Sequence, residues 1–563
     1  MQETDILVVG GGGAGMRAAI EASSLGCRVL VANKGAVGRS GTTPMAMEAF
    51  QAVGFPGDSE EIHFRDTVEG GYRLGDENLI SVLVRDAARR AKDLESYGVK
   101  FKKKPDGAFN PMHHPGQTFP RALFLQGGGY GMLSGLVREA GKHPWIRALS
   151  DVFVVKLILD REGSASGAIL LDLKDGRVKA VRSKAVILAT GGYEELWARN
   201  DASCTACGDG VFLAYEAGAE LVDLEMLQYY PTVIIHPPSI QGTLFQYELI
   251  TDPEMLGGRL LNGKKEAFFE GKLLRDAIVR AICQEVRRGR GSPHGGVYID
   301  LVHSIKSRED LTRALEKWQP NQFHYLREMG YDLRDVMVEV APHAHYTLGG
   351  VGIDEKAGTT IPGLFAAGEV AGNLHGANRV SGNALAETQV FGALAGASAA
   401  ALANGKGLEE SGDAREELQQ TKALLERMGQ PKEGGSRPFR VREELQRIMW
   451  DRCGVEREDQ SLVRGIGEME RVEKEMIPRM VSAAPSGDGS FGAYPREIRE
   501  ALEVRMMVRV GKLVLASARF RKETRGHHMR ADYPKTSAAL LHTRVAKGKP
   551  PWAEEVNRSE PAG

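Results

Sequence analysis

The sequence predicts an α/β protein in which a parallel sheet is followed by a mainly helical C-terminal region. Residues 5–33 have the pattern of a strand, a glycine-rich turn (GGGGAG), a helix and a second strand, which is typical of a βαβ unit. A further apolar run at 184–189 ends in Thr-Gly-Gly and predicts another buried strand. Beyond residue 396 charged residues become frequent, and apolar residues recur at helical spacing, as in Val441, Leu445, Ile448 and Met449.

The composition indicates a globular protein and argues against a nucleic-acid binder. A length of 563 residues allows roughly three or four domains. The formal net charge is −1, so the chain lacks the basic excess that binding to phosphate backbones requires. The five cysteines form no disulfide framework, and the single pair Cys204 and Cys207 lacks the second pair that a structural zinc site needs. We therefore expect reduced thiols and no metal.

The sequence contains no pattern typical of a secretory leader or a membrane span. The first predicted strand begins at Asp5 without the basic and apolar regions of a signal peptide. The longest run of small and apolar residues, 391–403, is shorter than the ~20 residues that a spanning helix needs. We therefore expect a cytoplasmic protein with no direct membrane insertion, which reaches a membrane only through partner subunits.

The glycines of the first turn have separate roles in a dinucleotide-binding unit. Gly10 makes the tight turn, Gly12 lets the pyrophosphate approach the backbone, and Gly15 allows close packing of the helix on the strand. At the end of the second strand, where an acidic residue usually binds the ribose hydroxyls, the chain has Asn33. An amide can still form a hydrogen bond to a hydroxyl group, although it adds no charge.

The segment 343–392 combines a glycine-rich strand end with cationic and imidazole side chains. A strand at 363–369 ends in Ala-Gly-Glu, with Glu369 as the carboxylate that would face a dinucleotide. His345, His375 and Arg379 lie close to it in sequence. A guanidinium group matches a carboxylate with two parallel hydrogen bonds, so this set predicts an anionic substrate next to the cofactor.

These segments resemble the flavoprotein subunits of fumarate reductase and succinate dehydrogenase, a family of FAD-dependent oxidoreductases that includes L-aspartate oxidase. The resemblance covers nearly the whole chain, because 448–451 (IMWD) and 522–526 (KETRG) also resemble family segments. It implies a Rossmann-like FAD-binding domain at 1–230 and 346–395. It further implies an α+β capping domain at 231–345 and a helical C-terminal domain at 396–563.

The resemblance also implies which residues bind FAD. They belong to the glycine turn, the second strand end, the loop after it, the Thr-Gly-Gly turn, the Cys-Gly-Asp-Gly loop and the 363–392 segment. The predicted FAD-binding residues are Gly10, Gly12, Gly13, Ala14, Gly15, Asn33, Lys34, Ser40, Gly41, Thr42, Thr43, Thr190, Gly191, Gly192, Asp209, Glu369, Asn383, Ala384 and Leu385.

Three residues are implied as catalytic. Arg379 and His345 would bind a substrate carboxylate, and Arg275, in the segment Lys-Leu-Leu-Arg-Asp, would be the proton donor. Asp276 is adjacent to Arg275, but the sequence does not identify the carboxylate that returns a proton to it. His375 is predicted equally as a substrate ligand and as a histidine that supports the loop.

Two positions depart from the family pattern. Gly41 stands where the membrane-linked members have the histidine that bonds covalently to FAD, so we expect FAD to be held non-covalently. Tyr230, in Gln-Tyr-Tyr-Pro, stands where the family has a histidine that contacts a substrate carboxylate. The family sequence Thr-Glu-Gly is only faintly similar to 251–253 (TDP), from which Thr251 is predicted as a substrate-binding residue together with Tyr230.

The sequence therefore predicts the flavoprotein component of a fumarate reductase-like system, which transfers hydride between flavin N5 and a carboxylate-bearing carbon–carbon double bond. Three alternatives stay open: an L-aspartate oxidase-like amine oxidase, an adenylylsulfate reductase-like flavoprotein, and a non-catalytic FAD electron-transfer subunit. The scattered cysteines cannot bind a ferredoxin-type cluster, so we expect electrons from a separate iron–sulfur subunit. The basic run 519–530 is predicted as a solvated or partner-facing surface.

Overall fold

The computed structural model describes residues 2–47, 49–268, 274–407, 414–430, 434–486 and 489–558. The strands in these ranges are β1 Gln2–Glu3, β2 Ile6–Val9, β3 Val29–Asn33, β4 Ala49–Gln51, β5 Ala122–Phe124, β6 Ile146–Ser150, β7 Val152–Leu159, β8 Ala165–Asp172, β9 Arg177–Arg182, β10 Ala185–Leu188, β11 Leu221–Val222, β12 Leu227–His236, β13 Arg259–Leu261, β14 Val297–Asp300, β15 Val338–Thr347, β16 Gly350–Val351, β17 Leu364–Ala366, β18 Glu456–Arg457, β19 Met529–Arg530, β20 Leu541–Val545 and β21 Trp552–Glu555.

The α-helices in the same ranges are α1 Gly13–Ser24, α2 Glu60–Gly70, α3 Glu77–Ser96, α4 Gly128–Ala140, α5 Asp209–Glu216, α6 Tyr247–Ile250, α7 Arg275–Glu285, α8 Arg308–Trp318, α9 Pro320–Glu328, α10 Asn383–Gly405, α11 Ala414–Gly429, α12 Pro438–Cys453, α13 Asp459–Arg471 and α14 Arg496–Phe520.

The central sheet is parallel and has the strand order β17-β10-β2-β3-β6. All four residues of β2 and of β10 are buried, because helices cover a parallel sheet on both faces. Both α1, which follows the glycine turn, and α10 pack on this sheet and on each other. The predicted Rossmann-like α/β fold is confirmed, and it brings the ends of β2, β10 and β17 to one edge.

A second, antiparallel sheet with the order β12-β15-β14-β13 carries a hydrophobic core of its own. This core contains side chains from Tyr230 to Val340. The long strands β12 and β15 run from the central domain into this smaller one, and Tyr230 pairs with His343 across them. The register therefore fixes Tyr230 and His345 at the junction of the two cores, where a cleft forms.

The C-terminal region is mainly helical, as predicted, but it also contains strands. The helices α12, α13 and α14 pack together in the main core. Strands β20 and β21 join β11 and β16 in a four-stranded sheet, so the end of the described chain returns to the central domain.

The prediction that the basic run 519–530 forms a solvated or partner-facing surface is wrong for most of the run. Arg521, Arg525 and Arg530 are buried, whereas Arg519 is exposed. Arg521 forms ion pairs with Asp223, Glu225 and Glu523 at 2.6–2.9 Å. Buried charges are found in proteins when they are paired, and here the partners Asp223 and Glu225 lie far away in sequence, so the pattern of the run alone did not reveal them.

Helix α10 has the length and mean hydropathy of a membrane-spanning helix, and it is the single such helix within the described ranges. The predicted apolar run 391–403 thus lies inside a longer helix of 23 residues. About two thirds of its apolar window is buried inside the protein, and it packs against α1 and α3. It is a core helix of the central domain.

Candidate active site

A cavity of about 510 Å³ connects the carboxyl ends of the central strands with the cleft between the two cores. The glycine turn 10–14 lines one part of it, and Arg275, His345 and Arg379 line another. Most of the cofactor-binding and substrate-binding residues that the sequence predicts therefore lie around one continuous space.

The glycine turn fits the pyrophosphate of a dinucleotide. Helix α1 begins at Gly13, and its N-cap residue, Gly12, has no side chain that could cap it. The Gly13 N–H donates to the Thr43 hydroxyl at 3.0 Å, and the other N–H groups at this amino end are suited to an anion. Gly10 adopts φ +111°, in the left-handed region that favours glycine. A Cβ at Gly15 would overlap the carbonyl oxygen of Gly10, so Gly15 lets the helix approach the strand.

Asn33 organises the turn and has little capacity left for a ribose hydroxyl. Its Oδ1 accepts a hydrogen bond from the Gly11 N–H at 2.9 Å, and its amide donates to the Gly35 carbonyl and to the Ser40 hydroxyl. Both amide hydrogens are therefore used within the protein.

Lys34 and Asp209 lie next to Asn33 on the cavity wall. Lys34 Nζ is 3.2 Å from the Asp209 carboxylate and 3.4 Å from Glu503 on α14. Although burial alone would lower the pKa of Lys34, these carboxylates raise it above its usual range. The charged pair supplies the polar groups at this end of the cavity.

Most of the predicted FAD-binding residues line the cavity, and three do not. Gly15, Gly192 and Asn383 are absent from the lining residues. Asn383 is fully buried, where it lies 3.0 Å from His63 Nε2 and donates to the Thr67 hydroxyl. These three positions support the cavity through packing.

Glu369 lines the cavity as predicted, and it shares its environment with Glu194, which sequence reasoning did not identify. The backbone N–H of Thr347 donates to both carboxyl groups, at 2.9 Å to Glu194 and 3.1 Å to Glu369. Burial and then the neighbouring Glu194 raise the pKa of Glu369 well above its usual value. A Cβ at Gly192 would lie 2.6 Å from Glu194 Oε1, so Gly192 makes room for this pair.

Arg379 is a buried cation with free hydrogen-bonding capacity. Its guanidinium carbon lies 4.6 Å from the centre of the Tyr346 ring. Within the described ranges no carboxylate forms an ion pair with it, and its Nε has no hydrogen-bond partner. Burial and the nearby Arg275 lower the pKa of Arg379 to about 10, which still leaves it charged at neutral pH. Such a group is suited to bind an anion from the cavity.

Arg275 begins α7 and lies against a carboxylate that sequence reasoning missed. Its Nη2 is 3.5 Å from Glu248 on α6, and its guanidinium carbon is 4.8 Å from the centre of the Tyr230 ring. The Tyr230 hydroxyl donates to Glu248 at 3.1 Å. Burial would lower the pKa of Arg275, but Tyr247 and Glu248 hold it above its usual value.

Gln228 sets the spacing of the two arginines. Its Oε1 accepts a hydrogen bond from Arg275 at 2.9 Å, and its Nε2 donates to the backbone carbonyl of Arg379 at 3.0 Å. Because Gln228 is buried, this bridge connects the Arg275 side chain firmly to the backbone at Arg379.

The two predicted histidines differ in their surroundings. His345 Nδ1 lies 3.0 Å from the carboxylate of Asp201, and both residues line the cavity. Burial lowers the pKa of His345, while Asp201 opposes that shift. His375 Nε2 lies 2.8 Å from Glu387 and does not line the cavity. The geometry favours the supporting role for His375.

The substrate-binding prediction for Thr251 needs a correction. Thr251 follows the last residue of α6 and does not line the cavity, whereas Glu248, in the first turn of that short helix, does. The faint similarity of 251–253 to the family sequence pointed to Thr251, which lies three residues beyond Glu248. Asp276 is also not the partner of Arg275, because it accepts a hydrogen bond from Tyr72 and pairs with Arg280.

The fold and the site together define an FAD-dependent oxidoreductase. The FAD binding domain family matches residues 5–385, and the family described as fumarate reductase flavoprotein C-term matches residues 442–554. The chain belongs to the fumarate reductase flavoprotein family, as the sequence predicts.

Relatives and solved structures agree with this assignment. The chain is 35% identical to one of the subunits of fumarate reductase (CoM/CoB) from Methanothermobacter marburgensis over 95% of each chain. Its structure matches Mycobacterium smegmatis Sdh1 in complex with UQ1 with a TM-score of 0.88 and 30% identity, covering 100% of this chain and 95% of that one. It also matches adenylylsulfate reductase of Archaeoglobus fulgidus, with a TM-score of 0.79, 20% identity and coverage of 99% and 96%, a likeness of fold alone.

Proposed function

We propose that the protein reduces a carbon–carbon double bond conjugated to a carboxylate, as in fumarate. The observation that carries this proposal is the buried Arg379 guanidinium, which faces the cavity without a carboxylate partner among the described residues. Bound FAD would supply the hydride. The protein must then hold the carboxylate, exclude water and deliver one proton.

Arg379 and His345 are suited to orient the substrate carboxylate. Both line the cavity, and the bridge through Gln228 fixes Arg379 relative to Arg275. In a buried site each charge-assisted hydrogen bond contributes about 1.5–3 kcal/mol. The charge of Arg379 and a hydrogen bond from His345 polarise the double bond toward hydride addition, because they stabilise the charge that develops on the carboxylate.

Arg275 is suited to protonate the other carbon, with Glu248 taking up a proton from solvent and passing it to the neutral guanidine that remains. An arginine is a weak acid, but the carbanion that forms after hydride addition is a strong base. The distance of 3.5 Å between Arg275 Nη2 and Glu248 Oε1 allows a proton to pass with a small movement. Tyr230, whose hydroxyl donates to Glu248, would hold that carboxylate in place.

Two variants test the proton path separately from hydride supply. Arg275→Gln and Glu248→Gln keep hydrogen-bonding groups but lose proton transfer, so substrate reduction should fall by about 100-fold or more. Dithionite should still bleach the flavin absorbance at the wild-type rate in both. Normal turnover of Arg275→Gln would show that the acid is another group.

The reaction itself is tested by its product. Protein reduced anaerobically with dithionite, freed of excess reductant and mixed with fumarate should form one succinate per FAD, measured by proton NMR. If the succinate formed does not exceed that in a control without protein, the proposed reaction is wrong. Hydrogen peroxide release with an amino-acid substrate would support the L-aspartate oxidase alternative instead.

FAD is proposed to be held non-covalently, since Gly41 has no side chain to form a link. Gly41 lines the cavity, and a Cβ placed on it would meet no described atom within 4 Å. The proposal therefore rests on the missing side chain and not on crowding. Acid precipitation should release all the flavin into the supernatant. Yellow colour that stays in the washed pellet would contradict this.

Electrons are proposed to come from a separate iron–sulfur subunit, through which the protein would also reach a membrane. The related Methanothermobacter protein is named as one subunit of its reductase, so it belongs to a larger assembly. In the described ranges Cys27, Cys207 and Cys453 are buried and far apart in sequence, unlike the ligands of a ferredoxin-type cluster. The isolated chain should therefore not oxidise NADH in the presence of fumarate, and rapid NADH oxidation would refute the need for a partner.

A further inference from the structure

A loop that carries two histidines forms part of the cavity wall and has no role in the function proposed above. Met112, His113, His114 and Pro115 all line the cavity. An isolated bridge between Met112 and Ala122 anchors the start of the loop next to β5. The loop therefore belongs to the site, although nothing in the sequence pattern marked it.

The loop lies beside both arginines. A Cβ placed at Gly116 would be 3.5 Å from a methyl group of Leu274 and 3.9 Å from one of Val380. Leu274 and Val380 are the chain neighbours of Arg275 and Arg379. The loop thus packs on the two segments that place the arginines, and its histidines lie at the same end of the cavity.

The backbone at His114 is held in place while its ring keeps a free nitrogen. The His114 N–H donates to Gln117 Oε1 at 2.9 Å, and the Gln117 N–H donates back to the His114 carbonyl at 3.1 Å. The His114 ring packs against Phe124 with 5.8 Å between ring centres. Its Nδ1 is buried without a hydrogen-bond partner, and within the part of the chain that the structure describes no hydrogen bond uses its Nε2, which is the nitrogen left for the cavity.

The electrostatics of His114 favour a neutral imidazole with one N–H donor. Burial lowers the pKa of His114, Glu248 opposes that shift, and Arg275 adds to it. The charged groups that face the ring are thus Glu248 and Arg275, with His113 beside it. A neutral imidazole donates to a carbonyl or carboxylate oxygen without the cost of burying another cation.

Tyr230, which stands where the family has a histidine, is not free to donate such a hydrogen bond to the substrate. The Tyr230 hydroxyl already donates to Glu248, and its ring packs against Tyr247 at 5.7 Å and His345 at 5.0 Å. A substrate held by Arg379 at one end therefore needs another donor at its other end.

We propose that His114 donates a hydrogen bond to the second carbonyl oxygen of the substrate and so selects enoates of the form ⁻OOC–CH=CH–C(=O)X. This inference rests on the proposed function, and it deepens it by naming the substrate class. The group X is an oxygen anion in fumarate and a neutral substituent in an amide or ester. His114 would then be a specificity-determining residue that contacts the substrate.

Kinetics with three acceptors test the proposal. Fumarate and its monoamide carry the second carbonyl oxygen, whereas crotonate has a methyl group there. In His114→Phe, which keeps the size of the ring, kcat/KM for fumarate should fall by about tenfold to a hundredfold, while the value for crotonate stays within about threefold. His114→Gln keeps a donor and should recover part of the loss. His324→Phe, at an exposed position on α9, is the control and should change neither value.

The monoamide separates the two possible identities of X. If His114→Phe lowers kcat/KM for the monoamide as much as for fumarate, His114 recognises the carbonyl oxygen. If kcat/KM for the monoamide falls less, the contact depends on the charge of the carboxylate. Both results support a contact between His114 and this end of the substrate. If His114→Phe lowered kcat/KM equally for fumarate and crotonate, or lowered it for neither, the proposed contact would be overturned.

Equilibrium binding keeps the test independent of turnover. Succinate and butyrate cannot accept hydride, and a reduced flavin cannot take hydride from them, so their binding to the anaerobically reduced holoprotein can be followed by calorimetry without turnover. His114→Phe should weaken succinate binding by about tenfold or more and butyrate binding by less than about threefold. If wild-type protein reduces no enoate but succinate binding still depends on His114, the proposed reaction fails and the ligand contact stands. Equal affinities in wild type and His114→Phe would refute the contact.

Discussion

Arg379 is the residue whose substitution should affect substrate binding most directly. Arg379→Lys keeps the charge but loses the two parallel hydrogen bonds, and Arg379→Ala loses both. We expect kcat/KM for fumarate to fall by about 10-fold or more in the first and about 100-fold or more in the second. FAD content, measured by absorbance, should stay close to wild type.

The matched control for these variants is Arg313→Ala, because Arg313 is exposed on α8 and pairs with Asp310 at the surface. It should leave turnover unchanged. Wild-type kinetics in Arg379→Ala would show that the carboxylate binds elsewhere.

The pair of Glu194 and Glu369 makes the stability of the folded protein depend on pH. Burial raises the pKa of Glu194, and burial with Glu194 raises that of Glu369, so the folded state binds more protons than the unfolded state above the usual glutamate pKa. The free energy of unfolding then falls as pH rises through that window. Glu194→Gln removes one of the titrating groups.

We expect the melting temperature of the wild-type holoprotein to fall more steeply than that of Glu194→Gln between about pH 5 and about pH 8. Differential scanning fluorimetry with the flavin signal measures both curves. Parallel curves would mean that the two carboxyl groups do not share a proton in the folded protein.

At the scale of residues, sequence reasoning found the groups that lie in recognisable segments and missed those that act across the fold. Arg275, His345 and Arg379 were predicted, and they line one cavity. Glu248 and His114 were not predicted, because their partners lie in other parts of the chain and their own segments contain no recognisable motif. Glu194 was missed for the same reason, since only the folded chain places it against Glu369.

At the scale of elements, the contact between the glycine turn and α1 is open to a direct test. A Cβ at Gly15 would overlap the Gly10 carbonyl oxygen, which is backbone and cannot move aside alone. Gly15→Ala should therefore cost about 1–3 kcal/mol or more in the free energy of unfolding and displace the turn. We expect a lower melting temperature and a lower FAD content per chain, both measured on the purified protein.

Gly467→Ala provides the control for that variant, because Gly467 is exposed on α13 and a Cβ there meets nothing within 4 Å. Alanine in place of glycine in an exposed helix should be neutral or slightly stabilising. Full FAD content in Gly15→Ala would contradict the close packing described here.

Sequence patterns predicted the elements whose signals are local in the sequence. They failed where pairing between remote segments determines the structure. The run of β2, the glycine turn and α1 was predictable because its periodicity and glycines are local signals. The basic run 519–530 was misassigned, since Arg521 within it is neutralised by Asp223 and Glu225, which are remote in sequence. Strands β20 and β21 were not expected for a similar reason, because β20 forms by pairing with β11, and β21 by pairing with β20.

At the scale of the whole molecule, two cores meet at the site. The residues proposed to bind the substrate and to deliver the proton come from both sides: Arg379 from the central domain, and Glu248 and Arg275 from elements that pack on the smaller core. The strands β12 and β15, which contain Tyr230 and His345, run from one core into the other. The chemistry proposed here therefore requires both domains in their relative positions.

One measurement tests the central claim that this cavity reduces a carboxylate-bearing double bond. Wild-type protein and Arg379→Ala are reduced anaerobically and mixed with fumarate in a stopped-flow instrument, and the return of flavin absorbance is followed. We predict rapid, saturable reoxidation of the wild type and reoxidation slower by about 100-fold or more in Arg379→Ala. Reoxidation of the wild-type protein by fumarate no faster than by buffer alone would contradict the account.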